Sequence, residues 1–191
     1  MTVFFRVLLA NMLILSIAYG QEKEHPLAGE SKSGMFRIIV SQGHAHIKKA
    51  MLQGGDSGIS AAAYALDADY WFSNHLAFGV HSDVVLENYL IEEHLGNDEY
   101  DILEREYPIA MVPVLLYKPW EHISFIGGIG PEFSKEKNLM VFRSGLEYGW
   151  ELPKNWELVS TVTYDVKKTY DTWMIGFGVS KFLPGFKRHH N

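Results

Sequence analysis

Cysteine is missing from all 191 residues. Its absence excludes disulfide staples, thiolate metal sites and cysteine nucleophiles. No basic stripe runs through the chain either. Lys and Arg number 17 against 23 Asp and Glu, a formal charge of -6, which argues against nucleic acid as a partner. After residue 20 no apolar run approaches the roughly 20 residues a transmembrane helix needs. Any later membrane crossing must therefore be made by strands. No catalytic motif stands out from the background.

Aromatic residues, by contrast, are plentiful at 14%, and hydrophobic residues make up 47%. Both suit a β-protein of one domain better than a disordered or helical chain. Residues 1–20 are of another kind. Arg6 is the only charge, an apolar run from Val7 to Leu15 follows, and Ala18 and Gly20 are small residues at the -3 and -1 positions of a cut before Gln21. This is the pattern of a cleaved signal peptide, with a single membrane anchor as the alternative. Loss of the leader removes Arg6 and no acid, so the mature chain is more acidic still. Residues 21–34 read as a polar, flexible lead-in, 35–183 as the folded unit and 184–191 as a tail.

The folded unit is organised around Leu139 to Asp165. Met140, Phe142, Ser144, Leu146, Tyr148, Trp150 and Leu152 share one parity, and Arg143, Gly145, Glu147, Gly149 and Glu151 the other. Pro153-Lys154-Asn155 turns the chain. The return strand sets Trp156, Leu158, Ser160, Val162 and Tyr164 against Glu157, Val159, Thr161, Thr163 and Asp165. Period-two alternation of this length predicts a hairpin with one aromatic face and one of charges and small residues. Similar strands are predicted at about Met35–Ile47, Ile59–Phe72, Leu76–Ile91, Tyr107–Lys118, His122–Ser134 and Tyr170–Leu183, giving eight. The first has no clear phase, and a bulge near Gly43 would reverse its faces. Pro108 and Pro113 weaken the fourth, since each lacks a ladder donor. The stretch Glu92–Glu106 reads as a long acidic loop.

Tight connections at Ser73–His75, Pro119–Glu121 and Pro153–Asn155 alternate with longer polar ones. In an up-and-down barrel the tight turns share one rim and the long loops the other. The bulky residues must face outwards, because eight strands enclose space only for modest side chains. Aromatics beside the tight turns (Tyr70, Trp71, Phe72, Tyr117, Trp120, Trp150 and Trp156) are then expected as a girdle at one water–lipid rim. A soluble exported, lipocalin-like barrel binding an apolar ligand is the alternative, with the faces reversed.

The export signal, the eight alternating strands and a last strand ending near Phe182 resemble the small outer-membrane β-barrels of Gram-negative bacteria, the OmpA, OmpX and OmpW type. The resemblance is architectural and covers nearly all of the mature chain. One departure is that Pro184 to Asn191 follow the terminal aromatic. It implies an all-β, eight-stranded antiparallel transmembrane barrel in the outer membrane, in contact with membrane lipid and lipopolysaccharide and delivered by the barrel-assembly machinery. Fold alone warrants no activity.

Within such a barrel the polar parity would enclose His81, Asp83, Glu87, Glu132, Arg143, Glu147, Glu151, Glu157 and Asp165, with Asp67 and Asp69. Arg143 then requires a partner among Glu132, Glu147 and Asp165, since a lone buried charge costs several kcal/mol. The expected result is an ion-paired plug. A sharper reading is a divalent metal site built from His44, His46, His81 and Asp83, whose alternate-residue spacing puts pairs of ligands on one strand face. The competing reading makes His44 and His46 surface histidines. Membrane-embedded lipid hydrolysis would need a His–Ser pair within hydrogen-bond reach. His81 and Ser82 are predicted to point to opposite faces, which leaves Ser41 or Ser60 near His44. An open porin channel is disfavoured by strand number.

Overall fold

Strand follows strand with no helix between them in the computed structural model, which describes residues 31–52, 57–96 and 99–185. The expected leader, the Gly54-Gly55-Asp56 turn and most of the tail lie outside the described residues. The strands are β1 (Phe36–Met51), β2 (Ser57–Trp71), β3 (Leu76–Val85), β4 (Asn88–Gly96), β5 (Glu99–Glu106), β6 (Ile109–Tyr117), β7 (Ile123–Phe133), β8 (Leu139–Leu152), β9 (Trp156–Lys167) and β10 (Asp171–Leu183). The ladder order is β10-β9-β8-β7-β6-β3-β2-β1, and β1 also pairs with β10. Eight antiparallel strands thus close into a barrel, and β4–β5 is a hairpin added to the end of β1.

Alternation decides the faces as the sequence predicts. On β8, Arg143, Glu147 and Val141 are buried, while Phe142, Leu146 and Trp150 are exposed. The outer wall carries Phe177 at 63% exposure and Trp150 at 64%. That arrangement is the reverse of a lipocalin-like barrel. Trp71 is the exception among the expected girdle residues. It is fully buried because it continues the inward parity of Asp67 and Asp69, and its ring fills the interior near the tight-turn end.

Three other expectations are corrected. β1 runs through Gly43 in unbroken register with both neighbours, Gly43 lying opposite Ala63 and Gly176. A Cβ on Gly43 would stand 2.2 Å from the Ile175 carbonyl oxygen, so this glycine permits close strand approach rather than a bulge. The irregularity of β1 comes later, between Ile47 and Met51, where its register with β2 shifts, its pairing with β10 has ended, and it gains β4 through Ala50–Ile91 and Met51–Leu90. The third strand stops at Val85 instead of continuing to Ile91, and the acidic stretch is a hairpin, not a loop. Period-two burial of Tyr89, Ile91, Leu103 and Arg105 explains why it folds. At its base Tyr107, just before Pro108, takes φ 41°, and its N–H donates to Asn88 Oδ1 at 3.2 Å.

The tight turns are bonded to one another. Ser73 Oγ accepts the His75 and Leu76 N–H groups at 3.2 and 3.1 Å. His75 Nδ1 lies 2.8 Å from the Lys118 carbonyl oxygen and His122 Nδ1 3.1 Å from that of Gly149. Lys154 and Asn155 hold left-handed φ angles of 63° and 62°, which Asn tolerates through local hydrogen bonding.

The β6–β7 ladder has a gap. Pairing is made at Ile109–Phe133, Ala110–Glu132 and again from Val114–Gly128 to Tyr117–Phe125. Continuing that register sets Pro113 opposite Ile129 and Pro131 opposite Met111, so each strand brings one residue without a donor. Replacing Pro113 with Val should restore a bond worth about 0.5–1.5 kcal/mol and raise the thermal unfolding midpoint of the detergent-solubilised barrel. An unchanged or lower midpoint would show that the missing donor is not what weakens this seam.

Candidate functional site: a charged barrel interior

The inward parity of eight strands stacks four layers of charge along the barrel axis. The lowest is at the tight-turn end. Lys32, on the segment leading into β1, lies 2.5 Å from Glu151 and 3.7 Å from Glu157. Lys118 follows β6 and lies 3.8 Å from Glu157 and 3.9 Å from Glu151. The segment that delivers Lys32 is tied down by Ser33 Oγ donating to the Phe72 carbonyl at 2.7 Å and by the Gly34 N–H donating to Trp71 O at 2.7 Å.

The second layer centres on Arg37. Its Nε and Nη2 donate to Asp69 Oδ2 at 2.9 and 2.7 Å, and Nη1 donates to Glu147 Oε1 at 2.6 Å and Glu157 Oε2 at 3.2 Å. Ser180 Oγ donates to the same Glu157 oxygen at 3.0 Å. The guanidinium carbon lies 5.4 Å from the Trp71 ring centre and 5.8 Å from that of Phe182, within cation–π range. His81 Nε2 is 3.1 Å from Asp69 Oδ1 and its Nδ1 is 4.0 Å from Asp67. Residues of β1, β2, β3, β8, β9 and β10 thus meet around one cation.

Arg143 forms the third layer. It donates from Nε and Nη2 to the two oxygens of Asp165 at 2.8 and 2.6 Å, a fork-on-carboxylate geometry. The same Nη2 lies 2.5 Å from Asp83 on β3. Of its three expected partners only Asp165 is used.

The fourth layer joins barrel to hairpin. Glu132 lies 3.0 Å from Lys167 and also takes bonds from Arg105 and Tyr170. The Tyr170 and Tyr89 hydroxyls are 3.0 Å apart. Arg105 also donates to the Lys137 carbonyl, and Lys137 Nζ reaches Glu93 at 2.7 Å. The Glu104 N–H donates to Glu136 at 2.7 Å. The hairpin is therefore fastened to the β7–β8 loop across the barrel's end. Burial of Arg105 by itself lowers its proton affinity, but the surrounding Tyr170 and Glu132 raise it overall.

Most of the predicted cluster is brought together. His81, Asp83, Glu132, Arg143, Glu147, Glu157 and Asp165 are all buried. Glu151 is half-exposed at the mouth and Glu87 is exposed outside the strands. The four metal candidates are divided, with His44 and His46 on the outer wall and His81 and Asp83 inside. Ser41 is buried inward, away from His44, and Ser60 pairs with His46 on the outside without a hydrogen bond between their side chains among the described residues. Sequence reasoning missed Arg37, Lys167, Arg105, Tyr89 and the two mouth lysines. Arg37 was findable, since the exposed Phe36, Ile38 and Val40 already give the phase of β1.

Two predictions follow from these layers. Replacing Arg37 with Met leaves Asp69, Glu147 and Glu157 facing one another without their shared cation. Denaturant unfolding in lipid vesicles should show a loss of about 3–5 kcal/mol, part of it recovered when Glu147→Gln is added. At the mouth, burial and the neighbouring Lys32 ammonium lower Lys118 to about 8. The unfolded chain then binds more protons than the folded one from about pH 8 to the ordinary lysine range near 10.4, so stability should rise with pH across that window. Lys118→Met should remove this rise, and an unchanged slope would exclude Lys118 as its source.

No family model and no curated protein matches this chain. Solved structures do. The AlkL outer membrane protein determined in lipid bilayers matches 89% of this chain and 100% of its own at 14% identity, with a TM-score of 0.49. For OprG, an outer membrane protein of Pseudomonas aeruginosa, the shares are 78% and 96%, the identity 15% and the TM-score 0.47. Ail, the attachment invasion locus protein of Yersinia pestis, is matched over 79% of this chain and 99% of its own at 13% identity, with a TM-score of 0.51. At that level the likeness concerns fold: this chain has the architecture of a small eight-stranded outer-membrane β-barrel.

Proposed function

We propose that this protein is an integral outer-membrane barrel whose interior is a salt-bridged plug, and that it acts through its walls and its hairpin rather than by conducting solutes. The observation that carries this reading is the polarity of the wall. Large aromatic and aliphatic side chains are exposed all round the outside, and Arg37, Arg143, Asp69, Glu147, Glu157 and Asp165 are enclosed. Water would not tolerate that outer surface in a monomer, whereas bilayer hydrocarbon solvates it. A closed sheet also pairs its backbone groups within itself, as lipid requires.

Cross-barrel bonds support the plug. Arg37 ties β1 to β8 and β9, and Arg143 ties β8 to β3. Such bonds occupy the axis that a conducting pore would need. The chemistry of the wall fits membrane lipid and lipopolysaccharide as its surroundings, reached by way of an export signal and the barrel-assembly machinery. The hairpin, with Glu92 and Asp101 exposed, is the natural surface for contacts beyond the membrane.

Membrane fractions should release the protein only with detergent, and the folded form should run faster on a denaturing gel until boiled. Extraction by salt or high pH alone would refute membrane insertion. In planar bilayers the purified barrel should give no steady ohmic conductance, and a stable open channel would refute the plug.

A further inference from the structure

The outer wall is mostly apolar; β3, β8 and β9 each interrupt it with a single outward serine, Ser82, Ser144 and Ser160, whereas β1 carries a stripe of three larger polar side chains. On β1 the outward sequence is Phe36, Ile38, Val40 and then Gln42, His44 and His46, all exposed. Register fixes the height of these polar residues. Gln42 lies between Phe177 on β10 and Tyr64 on β2, and His44 lies between Ile175 and Ala62. Phe177, Ile175 and Tyr64 are each more than half exposed, so Gln42 and His44 stand inside the apolar belt. His46, between Trp173 and Ser60, is nearer the rim. Neither the Gln42 nor the His44 side chain makes a hydrogen bond to any described residue. Hydrocarbon offers no donor or acceptor, so groups left bare there are costly.

We propose that this stripe is the contact surface between two copies of the barrel. The inference rests on membrane insertion, and it commits to a second copy because of hydrogen-bond complementarity. Two barrels inserted the same way round are related by a two-fold axis along the membrane normal. That axis sets each residue against its own counterpart at the same depth. A carboxamide both donates and accepts, as does a neutral imidazole. Gln42 can therefore satisfy Gln42 of the second copy, and His44 can do likewise. Acyl chains cannot. Strands in such barrels tilt by about 35–45°, so two β1 strands related by the axis cross. Their contact is confined to a few residues, which matches a stripe this short. Ala62 beside His44 lets the walls come close.

The absence of cysteine makes the test clean. A single Glu121→Cys on the exposed β6–β7 turn takes a donor or acceptor dye, and the full barrel is reconstituted at increasing lipid-to-protein ratios. Energy transfer should stay above the random-proximity level on dilution. The pair Gln42→Leu and His44→Leu should weaken association about tenfold or more, the equivalent of losing one or two net hydrogen bonds. Ser144→Leu, on the outward face of β8, should leave transfer unchanged. Leucine suits a lipid-facing site, so the double variant should still fold, and its gel shift on boiling verifies this. If that shift is lost, Gln42→Ala with His44→Ala takes its place. Transfer that falls to the random level without any substitution overturns the proposal. So does transfer that the double variant leaves intact.

Discussion

Ring closure is the constraint on which the rest of this structure depends. β1 must pair with β2 on one side and β10 on the other, and twelve positions of β1 from Phe36 to Ile47 are matched to β10. Once the sheet is closed it has an inside and an outside, and every strand residue must belong to one of them. Period-two alternation then assigns polarity without further choice. Charges enter the interior because their neighbours along the chain have claimed the wall.

An enclosed charge is tolerable only when it is matched. The interior meets that condition by sharing. Arg37 serves three carboxylates, Glu132 serves two cations and a phenol, and Arg143 holds Asp165 with two nitrogens while touching Asp83. Apolar layers occupy the remaining interior. Trp71, Leu116, Val112, Val114 and Phe182 form one cluster, and Tyr89, Ile91 and Leu103 of the hairpin form another with Ile47 of β1. The hairpin belongs to this economy of space, because its buried residues complete the second of these clusters.

How much of this the sequence discloses depends on whether a residue lies in a long alternating run. β8 and β9 alternate over their whole length, so the facing of Arg143, Glu147, Glu157 and Asp165 was legible from sequence. β1 was ambiguous because Gln42, His44 and His46 break the apolar parity. That break hid Arg37, which shares a face with Ile39 and Ser41. Arg105 could not be placed at all, since its segment is too acidic to read as a strand until Tyr89, Ile91 and Leu103 are seen buried together. Trp71 reads as an interfacial aromatic by residue type, although the parity it shares with Asp67 and Asp69 points inward. Which carboxylate meets which arginine depends on cross-barrel distance, and strand patterns contain no information about that.

Alternation has a blind spot that the Arg37 layer covers. If β1 slid against β10 by two residues, every side chain would keep its proper face, and the hydrophobic pattern would register no error. The guanidinium would keep Asp69, which sits opposite it on β2, but would miss Glu147 and the Ser180-bound Glu157. Bonds joining residues 110 and 120 positions apart come into being only when the first and last strands have met in the right frame. The buried arginine thus works as a proofreader of barrel assembly, penalising the slipped closures that greasiness alone would accept.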